Sequence, residues 1–144
     1  MPFSTHYRIT ADGGSKGNHD TNITSEAYGS YVLETTRNNR LVRLTFGEAT
    51  SNEAEFRTVI GAVKDLQATI LRANRQPKEF SVTIRMDSRL VVGGQGGYPG
   101  RKPWNIKAIH LVPLNAELKL LLSGFASVVW QKLPKMEIVA MLGH

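Results

Sequence analysis

Three acidic residues stand in separately recognisable settings. Asp12 lies in Ile9-Thr10-Ala11-Asp12-Gly13-Gly14-Ser15-Lys16-Gly17-Asn18, Glu55 in Thr50-Ser51-Asn52-Glu53-Ala54-Glu55-Phe56, and Asp87 in Ile84-Arg85-Met86-Asp87-Ser88. Clustered carboxylates suit a hard divalent ion such as Mg2+, which prefers oxygen ligands and keeps part of its water shell. Two such ions about 3.5–4 Å apart activate an attacking water and stabilise a leaving 3′-oxygen during in-line displacement at a phosphodiester. No protein nucleophile is then required. His6, His19 and His110 have no ligand spacing with one another and read as structural or surface residues.

The elements that must position these acids follow from the apolar period, which switches between two and 3.6 and so implies a mixed α/β chain. Tyr7, Ile9 and Ala11 alternate with polar neighbours, giving a first strand that is expected to end at a Gly13-Gly14 turn. Segments 27–35 and 40–46 flank Arg37-Asn38-Asn39-Arg40 and read as a hairpin. Ser51 or Asn52 is expected to cap a long helix running to about Ala73, with Phe56, Val59, Ile60, Val63, Leu66 and Ile70 as its buried stripe and Pro77 as its stop. A fourth strand over 80–86, a short helix over 88–93, a glycine-rich loop over 93–103, a helix from Ile106 or Leu111 to Leu122, a fifth strand over 125–132 and a short helix after Pro134 complete the reading.

This pattern puts the acids in register. Apolar residues precede Asp12 and Asp87 at the same three offsets, so each aspartate projects from the face opposite them, near the carboxyl end of its strand. Parallel neighbouring strands would set the two side by side, where open α/β sheets bind ligands. Glu55, four residues before Val59, falls on the buried stripe of the helix, and a carboxylate there needs a partner. Glu53 competes for the same role.

With 144 residues the chain is long enough for one cored domain, 1–144. It has no cysteine, which excludes a disulfide scaffold and a thiolate zinc site. No signal-type segment opens it, and its longest apolar region, 111–130, is broken by Asn115, Glu117 and Lys119, so a soluble, intracellular protein is expected. A net charge of +6 and a pI near 9.8 favour polyanionic partners.

The three acidic motifs and the element order (three strands, helix, strand, helix, strand, helix) resemble ribonuclease H of the type 1 class, which cleaves the RNA strand of RNA/DNA hybrids. The resemblance extends to about Lys132. It implies a ribonuclease H-like α/β fold with a five-stranded mixed sheet, the first three strands antiparallel and the rest parallel, flanked by helices. It further implies a cytoplasmic, monomeric endonuclease that uses Mg2+, or Mn2+ as a substitute, with two ions per site when substrate is bound, and leaves 5′-phosphate and 3′-hydroxyl ends. Asp12, Glu55 and Asp87 match the family's metal ligands. Gly14, Ser15, Gly17 and Asn18 match its post-strand substrate loop, Ser51 and Asn52 the polar pair at the helix start, and Arg89 a polar substrate contact. Members with a basic extension after the short helix use it to grip the hybrid; here that region is Gly93-Gly94-Gln95-Gly96-Gly97-Tyr98-Pro99-Gly100-Arg101-Lys102-Pro103-Trp104. Arg101, Lys102 and Trp104 either form a reduced substitute or pack the loop against the body.

The resemblance fails at the C-terminus. The family commonly reads Val-Pro-Arg, a few residues, Asn, then Ala-Asp at a fourth metal ligand. This sequence reads Leu133-Pro134-Lys135-Met136-Glu137-Ile138-Val139-Ala140-Met141-Leu142-Gly143-His144, and no aspartate follows Asp87. The missing acid falls near Leu142. His144, the terminal carboxylate and Glu137 are the candidate replacements, and His144 is the catalytic and metal-binding candidate carried forward. Two other readings remain open: a hybrid-binding module that has lost turnover, and a related nuclease acting on other nucleic acids. Deletion of Gly143-His144 is expected to cut cleavage sharply, measured on a labelled hybrid; a fully active truncation removes His144 and the terminal carboxylate from the mechanism.

Overall fold

Period-two alternation becomes three long strands, β1 (His6–Ser15), β2 (Ser25–Glu34) and β3 (Asn39–Ala49), in a computed structural model that describes residues 5–16, 24–35 and 38–143. There follow α1 (Ser51–Arg72), a 3-10 turn (Pro77–Glu79), β4 (Ser81–Met86), α2 (Arg89–Gly94), α3 (Val112–Leu122), β5 (Ser127–Lys132) and α4 (Lys135–Leu142). The sheet order is β3-β2-β1-β4-β5. β2 pairs antiparallel with β1 and β3, whereas β4 lies parallel to β1 and β5. This is the mixed sheet expected from the sequence. The crossover from β3 to β4 is made by α1, which lets β4 return beside β1 in parallel.

The two faces of the sheet are covered by different helices. Ile9, Ala11, Tyr31, Leu33, Val82 and Ile84 join the α1 stripe of Phe56, Val59, Ile60, Val63, Leu66 and Ile70 in one core, all nearly or fully buried. The alternate residues point the other way, and Val32, Glu34, Leu41 and Arg85 line a cavity with residues 140–142 of α4 and Gly143 after it. Ile138 and Leu142 anchor α4 on this second face, both essentially without exposure. Asp12 shares the parity of Thr10 and therefore projects to the α4 side. No helix among the described residues is long and apolar enough to cross a membrane.

Three local expectations are corrected. Gly13 and Gly14 form no turn: β1 runs through them to Ser15, with Gly13 opposite Gly29 and Gly14 opposite Tyr28. A Cβ on Gly13 would lie 2.6 Å from the Ala54 carbonyl oxygen, so the glycine serves a close approach of α1 to β1. The cap of α1 is Thr50, not Ser51 or Asn52; its side chain accepts from the Glu53 N–H at 3.1 Å while Glu53 Oε1 accepts from the Thr50 N–H at 3.2 Å. That reciprocal pair is a capping box, and it commits Glu53 to the helix end. Finally, α1 ends at Arg72, close to the expected Ala73, but Pro77 is not what stops it. Asn74 takes a left-handed φ of 61°, and the Asn74 and Arg75 N–H groups donate to Leu71 and Ile70 carbonyls, a Schellman termination.

Gly13→Ala is expected to destabilise the fold by about 1–3 kcal/mol, because backbone on both sides must shift to admit one methyl group. Denaturant unfolding checks this, and a wild-type midpoint would contradict the close packing of α1 on β1.

Candidate active site

Asp12 and Glu55 meet where β4 stops. The β1–β4 ladder ends at the pair Thr10 and Arg85, and Met86 is the last residue of β4. Beyond that point the Gly13 N–H, which lies in the plane of the sheet, donates to Glu55 Oε1 at 3.2 Å instead of to a strand. Glu55 therefore enters the gap beside β1 and comes against Asp12, which is only 4% exposed. As a residue Glu55 keeps partial exposure, but its Oε2 has neither solvent contact nor a hydrogen-bond partner. The atom rather than the residue average governs the cost of charge there. Burial, then the neighbouring Asp12 charge, push the Glu55 pKa well above the usual carboxylate range; Lys135 and the Gly13 amide oppose them without cancelling them.

Two lysines complete the arrangement. Lys135 Nζ, at the first position of α4, donates to both Asp12 oxygens, at 2.5 and 2.7 Å. Burial works against its charge, but the hydrogen bonds and charge of Asp12, with further charge from Glu55 and Asp87, outweigh it and raise its pKa. Asp87 follows β4 directly. Its backbone continues the register that brings it level with Asp12, and its Oδ1 accepts from Lys132 Nζ at 3.0 Å. Ser88, not Asp87, caps α2, accepting from the Val91 N–H at 3.2 Å. Among the described residues no three of His, Asp and Glu stand close enough to hold one ion together. The Asp12–Glu55 pair nevertheless fits a divalent cation, with one orphaned buried oxygen and a site already attractive enough to hold an ammonium group.

No family model matches the sequence, and no curated protein matches it. Solved structures do. The N-terminal RNase H domain of a Mycobacterium tuberculosis protein, solved as a fusion with maltose-binding protein, matches with TM-score 0.71 and 26% identity over 93% of this chain and 91% of the other. The chain has the fold of the type 1 ribonucleases H. An RNase H1 isolated from compost by a metagenomic approach matches with TM-score 0.75 and 24% identity over 94% of this chain and 89% of that one. A further structure from the same source, in complex with an RNA/DNA hybrid, matches with TM-score 0.73 and 23% identity over 93% of this chain and 89% of that one.

Within this ribonuclease H fold the remaining candidates take distinct positions. Ser15 is buried and its Oγ lies 3.1 Å from Ser51 Oγ, joining the end of β1 to the start of α1. Gly14 sits under Tyr28, whose hydroxyl would be 3.0 Å from an added Cβ. Asn52 is partly exposed on the first turn of α1. Arg89, two residues after Asp87, is exposed at the start of α2 and lines a cleft with Tyr98, Pro99, Arg101 and Trp104. Trp104 stacks on Tyr98 at 5.6 Å and covers Gly93, where any Cβ would collide with the indole, so it packs the loop while remaining 39% exposed. Gly17, Asn18 and His144 lie outside the described residues. Of the fourth-ligand alternatives within them, Glu137 is exposed on the first turn of α4, and the Leu142 position is filled by a buried apolar side chain.

Sequence reading missed Lys135 and Lys132. The signal available for Lys135 was its position directly after Pro134, a helix-starting proline, because a cation at the positive end of a helix needs an acidic partner from elsewhere.

The Glu55 environment fixes a pH dependence. A carboxyl whose folded-state pKa lies above its ordinary value of 4.5 contributes stability that is fully present below that value and is lost as pH rises through the folded-state value. In chelator, Glu55→Gln is expected to match wild-type stability at about pH 4 and to exceed it at about pH 8, by roughly 1 kcal/mol or more. Denaturant titrations at both pH values check this; equal stability of the two proteins throughout would contradict the buried, ion-free carboxyl.

Proposed function

We propose that this chain is an endoribonuclease that hydrolyses the RNA strand of RNA/DNA hybrids, with Mg2+ or Mn2+, leaving 5′-phosphate and 3′-hydroxyl ends. The observation that carries the proposal is the buried Glu55 carboxyl set against Asp12 at the end of the central strands. Two carboxyl groups so placed repel each other and weaken the fold, which is a cost without return unless a cation is to be bound. The hybrid-bound structure of the compost RNase H1 supports a hybrid as the substrate class, and the +6 charge suits a polyanion. The whole chain is read as one domain acting as a cytoplasmic monomer, in keeping with a sequence free of cysteine.

Asp12, Glu55 and Asp87 would hold the ions, two of them with substrate present. When bound, such ions supply Lewis acidity at the scissile phosphoryl group and a water of lowered pKa. The protein's own contribution is position. Asp12 is fixed by β1, which pairs with β2 through Ser15 and with β4 up to Thr10, and Glu55 by the Gly13 amide and the rigid first turns of α1. Asp87 becomes available when it leaves Lys132, a partly exposed ion pair of low strength. Gly14, Ser15, Gly17, Asn18, Ser51 and Asn52 are proposed to follow the RNA backbone and its 2′-hydroxyls, which distinguish the strand to be cut. Arg89 and Arg101, beside the stacked Tyr98 and Trp104, offer cations and an aromatic surface to the hybrid.

One observation favours a second reading. With Lys135 on Asp12, Lys132 on Asp87 and Leu142 buried near the expected fourth-acid position, the site is more neutral than a full set of acids would be. A hybrid-binding domain without turnover is consistent with that. Asp12→Asn separates the readings. On the nuclease reading it abolishes metal-dependent cleavage, a loss of on the order of a hundredfold or more, while hybrid affinity in a filter-binding assay stays within a few-fold of wild type. Unchanged turnover would remove Asp12 from the mechanism.

A further inference from the structure

Lys135 has a setting that a surface lysine does not have. It is the first residue of α4, and that helix is held to the sheet by Ile138 and Leu142, both buried. Its ammonium reaches a carboxylate whose side chain is 5% exposed and contacts both oxygens. The positive end of the helix works against a cation at that position, so the contact persists because Asp12 demands it. The Lys135 side chain itself is 53% exposed, and its flexible stem leaves a free route to solvent.

An ion that takes Asp12 as a ligand would come to the oxygens that Lys135 now occupies. Two cations on one carboxylate repel strongly at such separations. From this we infer that Lys135 is a resident counter-ion of the acid cluster: it holds Asp12 in the ion-free chain and swings out to solvent when a divalent ion enters. The inference rests on the divalent-ion reading of the site given above. It gives the lysine two opposed effects. Ion-free protein is stabilised, because Asp12 beside Glu55 is never left without a positive partner. Ion affinity is weakened, because the binding-competent state, with Lys135 displaced, is only a fraction of the population.

The test is isothermal titration of Mn2+ into wild type, Lys135→Met and Lys135→Arg without nucleic acid, with thermal melts of each in chelator and in saturating Mn2+. Lys135→Met is expected to bind Mn2+ about tenfold or more tighter than wild type, equivalent to about 1.4 kcal/mol, and Lys135→Arg to stay near wild type. In chelator Lys135→Met should melt below wild type, and saturating Mn2+ should narrow or reverse the difference. Equal or weaker binding by a folded Lys135→Met overturns the displacement while leaving the ion site standing. Absence of binding in all three overturns both. A measurement on wild type needs no variant: in lysine-labelled protein the Lys135 ammonium signal, sheltered by Asp12, should be lost to solvent exchange on saturation with Mg2+, and its persistence at saturation would overturn the inference.

Discussion

A carboxyl group with one oxygen out of reach of both water and protein donors governs the architecture at this end of the molecule. Glu55 can occupy its position only because β4 ends at Met86 and frees the Gly13 amide, and only because residue 13 has no side chain to keep α1 away. Its neighbour Asp12 is held in β1 by pairing with Ser30 of β2, two residues beyond the end of the ladder with β4. The repulsion between them has to be met by a positive charge. A positive charge there is Lys135, carried in by a helix that packs on the opposite face of the sheet from α1.

The topology makes this meeting possible. Asp12 comes from a strand, Glu55 from the helix that follows three strands later, Asp87 from the end of a parallel strand and Lys135 from the last helix. Parallel pairing of β1 with β4 brings two strand ends to the same edge, and the α1 crossover brings the helix start to that edge as well. The large, apolar core between α1 and the sheet supplies the stability against which a poorly satisfied polar cluster can be held. Asp87, ion-paired with Lys132, is more open to solvent than Asp12, whose side chain is almost fully buried.

Much of this was legible in the residues. The shared alternation before Asp12 and Asp87 gives their common edge, since a period of two fixes which face each residue takes. The stripe from Phe56 to Ile70 gives the long helix and puts Glu55 on its inner side, and every member of that stripe is buried. The failures have physical causes. Gly13-Gly14 reads locally as a turn, but non-local pairing with Gly29 and Tyr28 keeps it extended. The Thr50-x-x-Glu53 capping box was present in the sequence and would have separated Glu53 from Glu55. Asn74 is a left-handed stop that propensity does not announce three residues ahead of a proline. Lys132 carries no local signature and Lys135 only its place after Pro134, because the meaning of both depends on acids more than 40 positions away in the chain.

The most direct test of the central claim is cleavage of a strand-labelled RNA/DNA hybrid by the wild-type chain in Mg2+, in Mn2+ and in chelator, with duplex RNA, duplex DNA and single strands alongside. The account predicts metal-dependent cutting confined to the RNA strand of the hybrid. Hybrid binding without cutting in either metal would contradict it, and would mean that the lysine-filled acid cluster serves recognition alone.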